Sequence, residues 1–204
     1  MKRVAVILIS FVLSASVSAQ EETLINGPIE NGGFGGPVVK FSQVQNKFAV
    51  LAGGYGGWLI NHSFMIGGGG YGLVNNIKAP LAAHFYYGTP NDLSIEFGYG
   101  GLVLEYIGQP DMLVHYSVSA LIGAGGVGYG YYPDFNNSFY DNADHSSAFF
   151  VLEPAAGAEL NVTRFFRING GISYRLVAGA QLPWISNSDL SSLSGYLTFK
   201  FGKF

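Results

Sequence analysis

A chain of 204 residues with four histidines, thirteen carboxylates and no cysteine has a narrow choice of chemistry. Hydrolysis or acyl transfer would need a His close to an acid, and often a nucleophilic Ser. His145 lies in an acidic stretch beside Ser146 and Ser147, and His115 can be flanked in space by Glu105 if the segments carrying them pair. His62 falls in a short turn and His84 in LAAHFYYG. The glycine clusters do not form a phosphate loop. GGGGYG (67–72) runs into Leu-Val-Asn-Asn instead of a helix, and no Lys-Ser or Lys-Thr follows any of them. No metal site and no cofactor is implied.

A second group with chemical potential is the stretch 131–146, YYPDFNNSFYDNADHS. Its aromatic residues Tyr131, Tyr132, Phe139 and Tyr140 could stack on sugars while Asp134, Asp141 and Asp144 accept hydrogen bonds. Asp141 and Asp144 could share a calcium ion, although their spacing fits no established calcium loop. The third group is a set of charges on segments that alternate. In 150–162 every second residue is apolar or small, with Glu153, Glu159 and Asn161 between them; in 166–176 Arg167, Asn169, Ser173 and Arg175 alternate with apolar residues. Alternate residues of a strand point to opposite faces. One face is therefore apolar and the other charged. Pairing around Thr163 would set Glu159 opposite Arg167, and Glu153 opposite Ser173 with Arg175 diagonal. Glu96, Glu105, His115 and Lys200 are further candidates for the charged face. Glu96 and Glu105 have opposite parity, so both share that face only if a bulge interrupts Gly100-Gly101.

The elements that must position these groups begin with an export signal. Met1-Lys2-Arg3, an apolar run from Val4 to Leu13 and the small-residue end Val17-Ser18-Ala19 describe a secretory signal peptide cut after residue 19. The apolar run is too short for a membrane helix, which takes roughly 20 residues. Cleavage removes two cations and leaves 8 basic against 13 acidic side chains, which argues against nucleic acid as a partner. An exported chain without Cys must rely on strand pairing or packing. Only 11% of its residues are charged, against about 25% in soluble domains, while 15% are aromatic and 30 are Gly. Apolar content spread through alternating segments is the signature of a membrane β-barrel.

Residues 20–36 read as a flexible periplasmic lead-in, and 37–204 as the barrel. Eight extended segments follow: 37–45, 47–60, 63–75, 92–107, 112–130, 147–162, 165–180 and 191–204. Most match the roughly 9–11 residues a tilted strand needs to cross a bilayer. After the second segment the connections alternate short and long, with long polar ones near 76–91, 131–146 and 181–190. Outer-membrane barrels have short periplasmic turns and long external loops. The expectation is thus an all-β, single antiparallel up-and-down transmembrane barrel of eight strands, in the outer membrane of a Gram-negative bacterium with both termini periplasmic.

The segments GGGGYG (67–72), FGYGGLVLEY (97–106), LIGAGGVGY (121–129), FFVLEP (149–154), ELNVTRFFRINGGISYR (159–175) and FKFGKF (199–204) resemble small outer-membrane β-barrel proteins of the Bacteroidota type. The resemblance spans roughly 37–204 and its motifs are structural, so it implies a barrel and carries over no catalytic residue. One departure concerns the last strand, where Leu197, Phe199 and Phe201 share a face and Phe204 falls on the other.

An eight-stranded barrel is about wide enough for its own side chains to fill it. The leading expectation is a non-enzymatic barrel whose lumen is plugged by a salt-bridge network of Glu96, Glu105, Glu153, Glu159, Arg167, Arg175, Lys200 and His115. Its partners would be outer-membrane lipid, the assembly machinery, and an extracellular glycan or protein met by the loops. Two alternatives stand beside it. One is a lipid-modifying outer-membrane enzyme of the deacylase or acyltransferase type, using His115 or His145. The other is a soluble exported barrel that binds an apolar ligand inside and so reverses the strand faces.

Overall fold

The computed structural model of the protein describes residues 29–86, 93–131 and 146–204. The expected signal peptide 1–19 and the first part of the expected lead-in lie outside these residues. Eight antiparallel strands close in chain order into one barrel: β1 (Asn31–Val44), β2 (Lys47–Ile60), β3 (Phe64–Leu73), β4 (Leu93–Gly108), β5 (Val114–Tyr131), β6 (Ser146–Asn161), β7 (Phe166–Ala178) and β8 (Ser192–Lys203). Seven agree with the expected segments to within a few residues. β1 begins at Asn31, ahead of the expected 37, because NGGFGG pairs with Tyr55–Ile60 on one side and its Gly33–Gly35 with Phe201–Lys203 on the other. Its glycines mark close strand approach, which composition alone reads as a linker. A Cβ on Gly36 would stand 1.8 Å from the Phe199 carbonyl oxygen.

Strand parity sorts the side chains cleanly. Phe41, Trp58, Ile66, Leu104, Val118, Ile122, Leu152, Ile172 and Leu197 face outward and are exposed, while Lys40, Glu105, Glu153, Glu159, Arg175 and Lys200 face inward and are buried. This is the arrangement of a barrel whose outer solvent is hydrocarbon. It is opposite to what a soluble barrel with an apolar ligand cavity requires, so that alternative does not fit the fold. Aromatic residues gather at both rims of the outer wall. Trp58, Tyr106, Tyr116, Phe165 and Phe201 lie at the end that holds the chain termini; Phe41, Phe48, Phe150 and Tyr174 lie at the other. Such paired girdles bound the apolar band of membrane barrels.

The two ends differ in their connections. Turns at 61–63, 109–113 and 162–165 close the terminal end. The loop end carries the two-residue turn Gln45-Asn46, both at positive φ (51° and 57°), as tight hairpins need. It also carries the connections 74–92, with helix α1 (Leu81–Tyr86), and 179–191, with helix α2 (Asn187–Leu190). Ile77, Ala79 and Ala83 from the first and Leu182, Ile185 and Leu190 from the second join Leu93, Ile95, Val127 and Phe149 in one buried apolar layer at that mouth.

Glycines of the wall differ in the room around them. A Cβ on inward Gly101 would meet the Ile122 oxygen at 2.3 Å and the Gly123 Cα at 2.6 Å, whereas one on outward Gly126 meets nothing within 4 Å. Gly101→Val should therefore prevent barrel closure and Gly126→Val should not. Heat-modifiable migration on SDS gels separates the two outcomes, and equal folded fractions for both variants would contradict this wall geometry.

Candidate functional site

The lumen holds the chemistry-bearing residues in two ion clusters. The cluster near the terminal end is built around Glu159 on β6. Its Oε1 lies 3.1 Å from Arg167 Nη1 (β7) and 3.2 Å from His115 Nε2 (β5); its Oε2 accepts from Lys200 Nζ (β8) at 2.5 Å and Asn169 Nδ2 (β7) at 3.3 Å. Three donors and the His115 ring nitrogen surround the two carboxylate oxygens. Lys200 reaches on across the barrel to Glu105 Oε1 (β4) at 2.6 Å, and Tyr55 on β2 donates to the other Glu105 oxygen at 3.1 Å. Phe204 folds its ring inward beneath this cluster, with the Arg167 guanidinium 4.0 Å from the ring centre and Phe34 stacked at 5.4 Å. That explains the parity of the last residue: Phe201 faces out with the rim aromatics and Phe204 turns in against Phe34 and Arg167.

The second cluster sits toward the loop end. Lys40 on β1 donates to both oxygens of Glu153 on β6, at 2.9 and 2.8 Å, and its ammonium rests 3.4 Å from the centre of the Tyr71 ring. Ser173 and Tyr99 complete Glu153 at 2.6 and 2.7 Å. Charges held away from water cost several kcal/mol each unless paired and hydrogen-bonded, and this geometry meets both conditions. Above it Arg175 donates to the backbone oxygens of Leu190 (2.7 Å) and Gln43 (2.9 Å) and lies 4.7 Å from the centre of the Phe97 ring. It thereby ties α2 to the barrel mouth.

Seven of the eight expected lumen residues face the interior: Glu105, His115, Glu153, Glu159, Arg167, Arg175 and Lys200. Glu96 does not. The β3–β4 and β4–β5 ladders run through Gly100-Gly101 without a bulge, so Glu96 keeps outward parity and lies exposed near the loop end, over Gly130. The β6–β7 register is also shifted by two residues from the expected pairing. Glu159 stands opposite Asn169, and Arg167 opposite Asn161, because the turn centres on Arg164 instead of Thr163. Arg167 still reaches Glu159 diagonally. Arg175 does not pair with Glu153, whose cation is Lys40, a residue within the expected first segment but on a strand distant from β6 along the chain.

His115 engages Glu159 and the Met112 carbonyl oxygen (3.0 Å), not Glu105. With its side chain fully buried and both ring nitrogens engaged, it has the setting of a structural group. Of the loop candidates, Tyr132, Asp134, Phe139, Tyr140, Asp141, Asp144 and also His145 lie outside the described residues. Tyr131 is the last residue of β5. Among the described residues no group of three or more His, Asp or Glu is arranged to hold a metal.

No family model and no curated protein matches the chain. Solved structures do resemble it. Neisserial surface protein A is 14% identical with a TM-score of 0.58, over 87% of this chain and 100% of that one. The N-terminal β-barrel domain of Pseudomonas aeruginosa OprF is 12% identical (TM-score 0.49, 86% and 99% covered). The attachment invasion locus protein Ail of Yersinia pestis is 10% identical (TM-score 0.46, 85% and 97% covered). The first of these likenesses supports the fold, that of a small closed barrel.

Because Glu159 is the one carboxylate paired with Arg167 and shares Lys200 with Glu105, its removal leaves Arg167 without an ion pair and Lys200 with Glu105 alone. Glu159→Gln should lower unfolding stability by about 3–5 kcal/mol. A double-mutant cycle with Arg167→Met should give a coupling of about 0.5–3 kcal/mol. Urea titrations followed by Trp fluorescence measure both, and strictly additive changes would show that the pair does not interact.

Proposed function

We propose that the chain is an outer-membrane β-barrel that neither conducts nor catalyses, and that serves as a rigid envelope element presenting its long connections outside the cell. One observation carries this reading. The outer wall is apolar between aromatic rims, while the lumen is occupied by paired charges, with the Phe204 ring against Arg167 at one end and an apolar layer at the other. A conduit would need a continuous polar path, and the layer of Ile77, Leu182, Ile185 and Leu190 supplies none. With the lumen closed, contact with partners falls to the loops.

The alternation of turns and long connections supports an orientation with both termini periplasmic. Outer-membrane lipid and the assembly machinery are then the obligatory partners. An extracellular glycan or protein would meet the connections, with Tyr131, Tyr132, Asp134, Phe139, Tyr140, Asp141 and Asp144 as contacts. The Bacteroidota resemblance of the strand motifs fits the same reading. A lipid-modifying enzyme is less well supported, since His115 is committed to Glu159 and Met112 inside the lumen.

Reconstitution into planar bilayers should give no single-channel steps beyond the background of empty membranes; discrete conductance would sink the closed-lumen reading. For orientation, a cysteine placed at Asn46 should react on intact cells with a membrane-impermeant maleimide, and one placed at Asn61 should react only after the outer membrane is opened. The reverse labelling pattern would invert the barrel. Unchanged lipid A profiles on expression of wild-type protein and of His115→Ala and His145→Ala variants are expected as well, and a modification lost in either variant would favour the enzyme.

A further inference from the structure

The two ion clusters do not fill the lumen completely. A cavity of about 30 Å³ borders Lys40 and Glu153 on one side and Tyr55, the donor to Glu105, on the other. Ser119 and Thr198 add hydroxyls to its wall. Thr198 is 1% exposed, and its Oγ1 is buried without a protein partner. Buried hydroxyls are nearly always hydrogen-bonded, to protein or to ordered water. The space is polar and has room for about two water molecules. Other small occupants fit poorly. The ammonium of Lys40 in the wall disfavours a metal cation, and the carboxylate of Glu153 disfavours an anion.

We propose that this cavity is a built hydration site for about two water molecules, which join the Lys40–Glu153 cluster to the Tyr55–Glu105 cluster. One water accepts from or donates to Thr198 Oγ1, and the pair bridges the Lys40 ammonium toward the Tyr55 hydroxyl. Hydrogen bonding then runs along the lumen from His115 at the terminal end, through Glu159, Lys200, Glu105 and Tyr55, to the waters and on through Lys40 to Glu153. It stops beneath the apolar layer, so the path is hydrated and closed at one end. Neither cluster alone has this property; it arises from the spacing between them. The inference rests on the lumen geometry and holds whichever partner the loops meet.

Water-to-protein magnetisation transfer in the reconstituted, methyl-labelled barrel tests this directly. The Thr198 and Val103 methyls at the cavity should build up signal at least several-fold faster than those of Leu190 and Ile185 in the apolar layer. Equal, slow transfer at all four would mean a dry cavity and overturn the proposal. Crystals diffracting well enough to show ordered solvent should reveal about two peaks in the cavity, one within hydrogen-bonding distance of Thr198 Oγ1. Thr198→Val, which keeps the side-chain shape, should remove that peak while the heat-modifiable band persists. An anomalous peak in the cavity after a bromide soak would show an anion in its place and would also overturn it.

Discussion

A carboxylate enclosed in a narrow barrel has to be saturated by its neighbours, and Glu159 is where this structure meets that constraint. Its donors come from β5, β7 and β8, and Lys200 carries the cluster on to Glu105 on β4. Half the wall thus meets at one side chain. A buried ion pair is weak evidence of net stability, because desolvation offsets much of the attraction. Its consequence here is specificity: four strands have one relative placement that leaves no charge unpaired.

The width of the lumen follows from the same requirement. Donors on facing strands must come within hydrogen-bonding distance, so the barrel has to be narrow, and a narrow barrel brings adjacent backbones into steep contact. Inward glycines such as Gly101 and Gly36 absorb that contact, since a Cβ there would overlap the neighbouring strand. Strain appears again at the loop mouth. Trp184 holds φ at 63° in the turn Leu182–Ile185, a conformation that costs a non-glycine residue about 1–2 kcal/mol. Tyr129 donating to the Pro183 oxygen (2.6 Å) and Gln45 to the Trp184 oxygen (3.2 Å) hold the turn there. The turn in turn seats Leu182 and Ile185 in the apolar layer.

Strand number, order and face were legible in the sequence because a period of two in polarity is a local property. The lumen positions of Glu105, Glu153, Glu159, Arg167, Arg175 and Lys200 follow from that parity. Partner choice is not local. Lys40 meets Glu153 across three strand boundaries, a distance in space set by barrel curvature, and no spacing along the chain encodes it. The two-residue register difference at β6–β7 has a similar origin: a turn at Thr163 and one at Arg164 preserve the same faces, so polarity cannot distinguish them. Glu96 was misplaced by assuming that every strand charge must be internal. Near the loop end a charge can point outward, so no bulge was needed to turn Glu96 inside. The loop candidates between Tyr132 and Asp144 stay a matter of composition.

Ties across the lumen also do something that the wall cannot do for itself. Backbone ladders fix each strand to its two neighbours, but they tolerate a concerted slip around a closed sheet. Slippage by one residue moves every inward side chain to the outer face. In this barrel the slipped state would place Lys40, Arg175 and Lys200 against hydrocarbon, where a cation costs about 2–4 kcal/mol near the midplane and less toward the rims. A two-residue slip keeps the faces but separates Lys200 from Glu105 and Lys40 from Glu153, leaving charges buried and unpaired. The apolar wall alone tolerates the two-residue slip, which keeps its face outward. The charged interior penalises both, and that selects the one register in which the barrel closes.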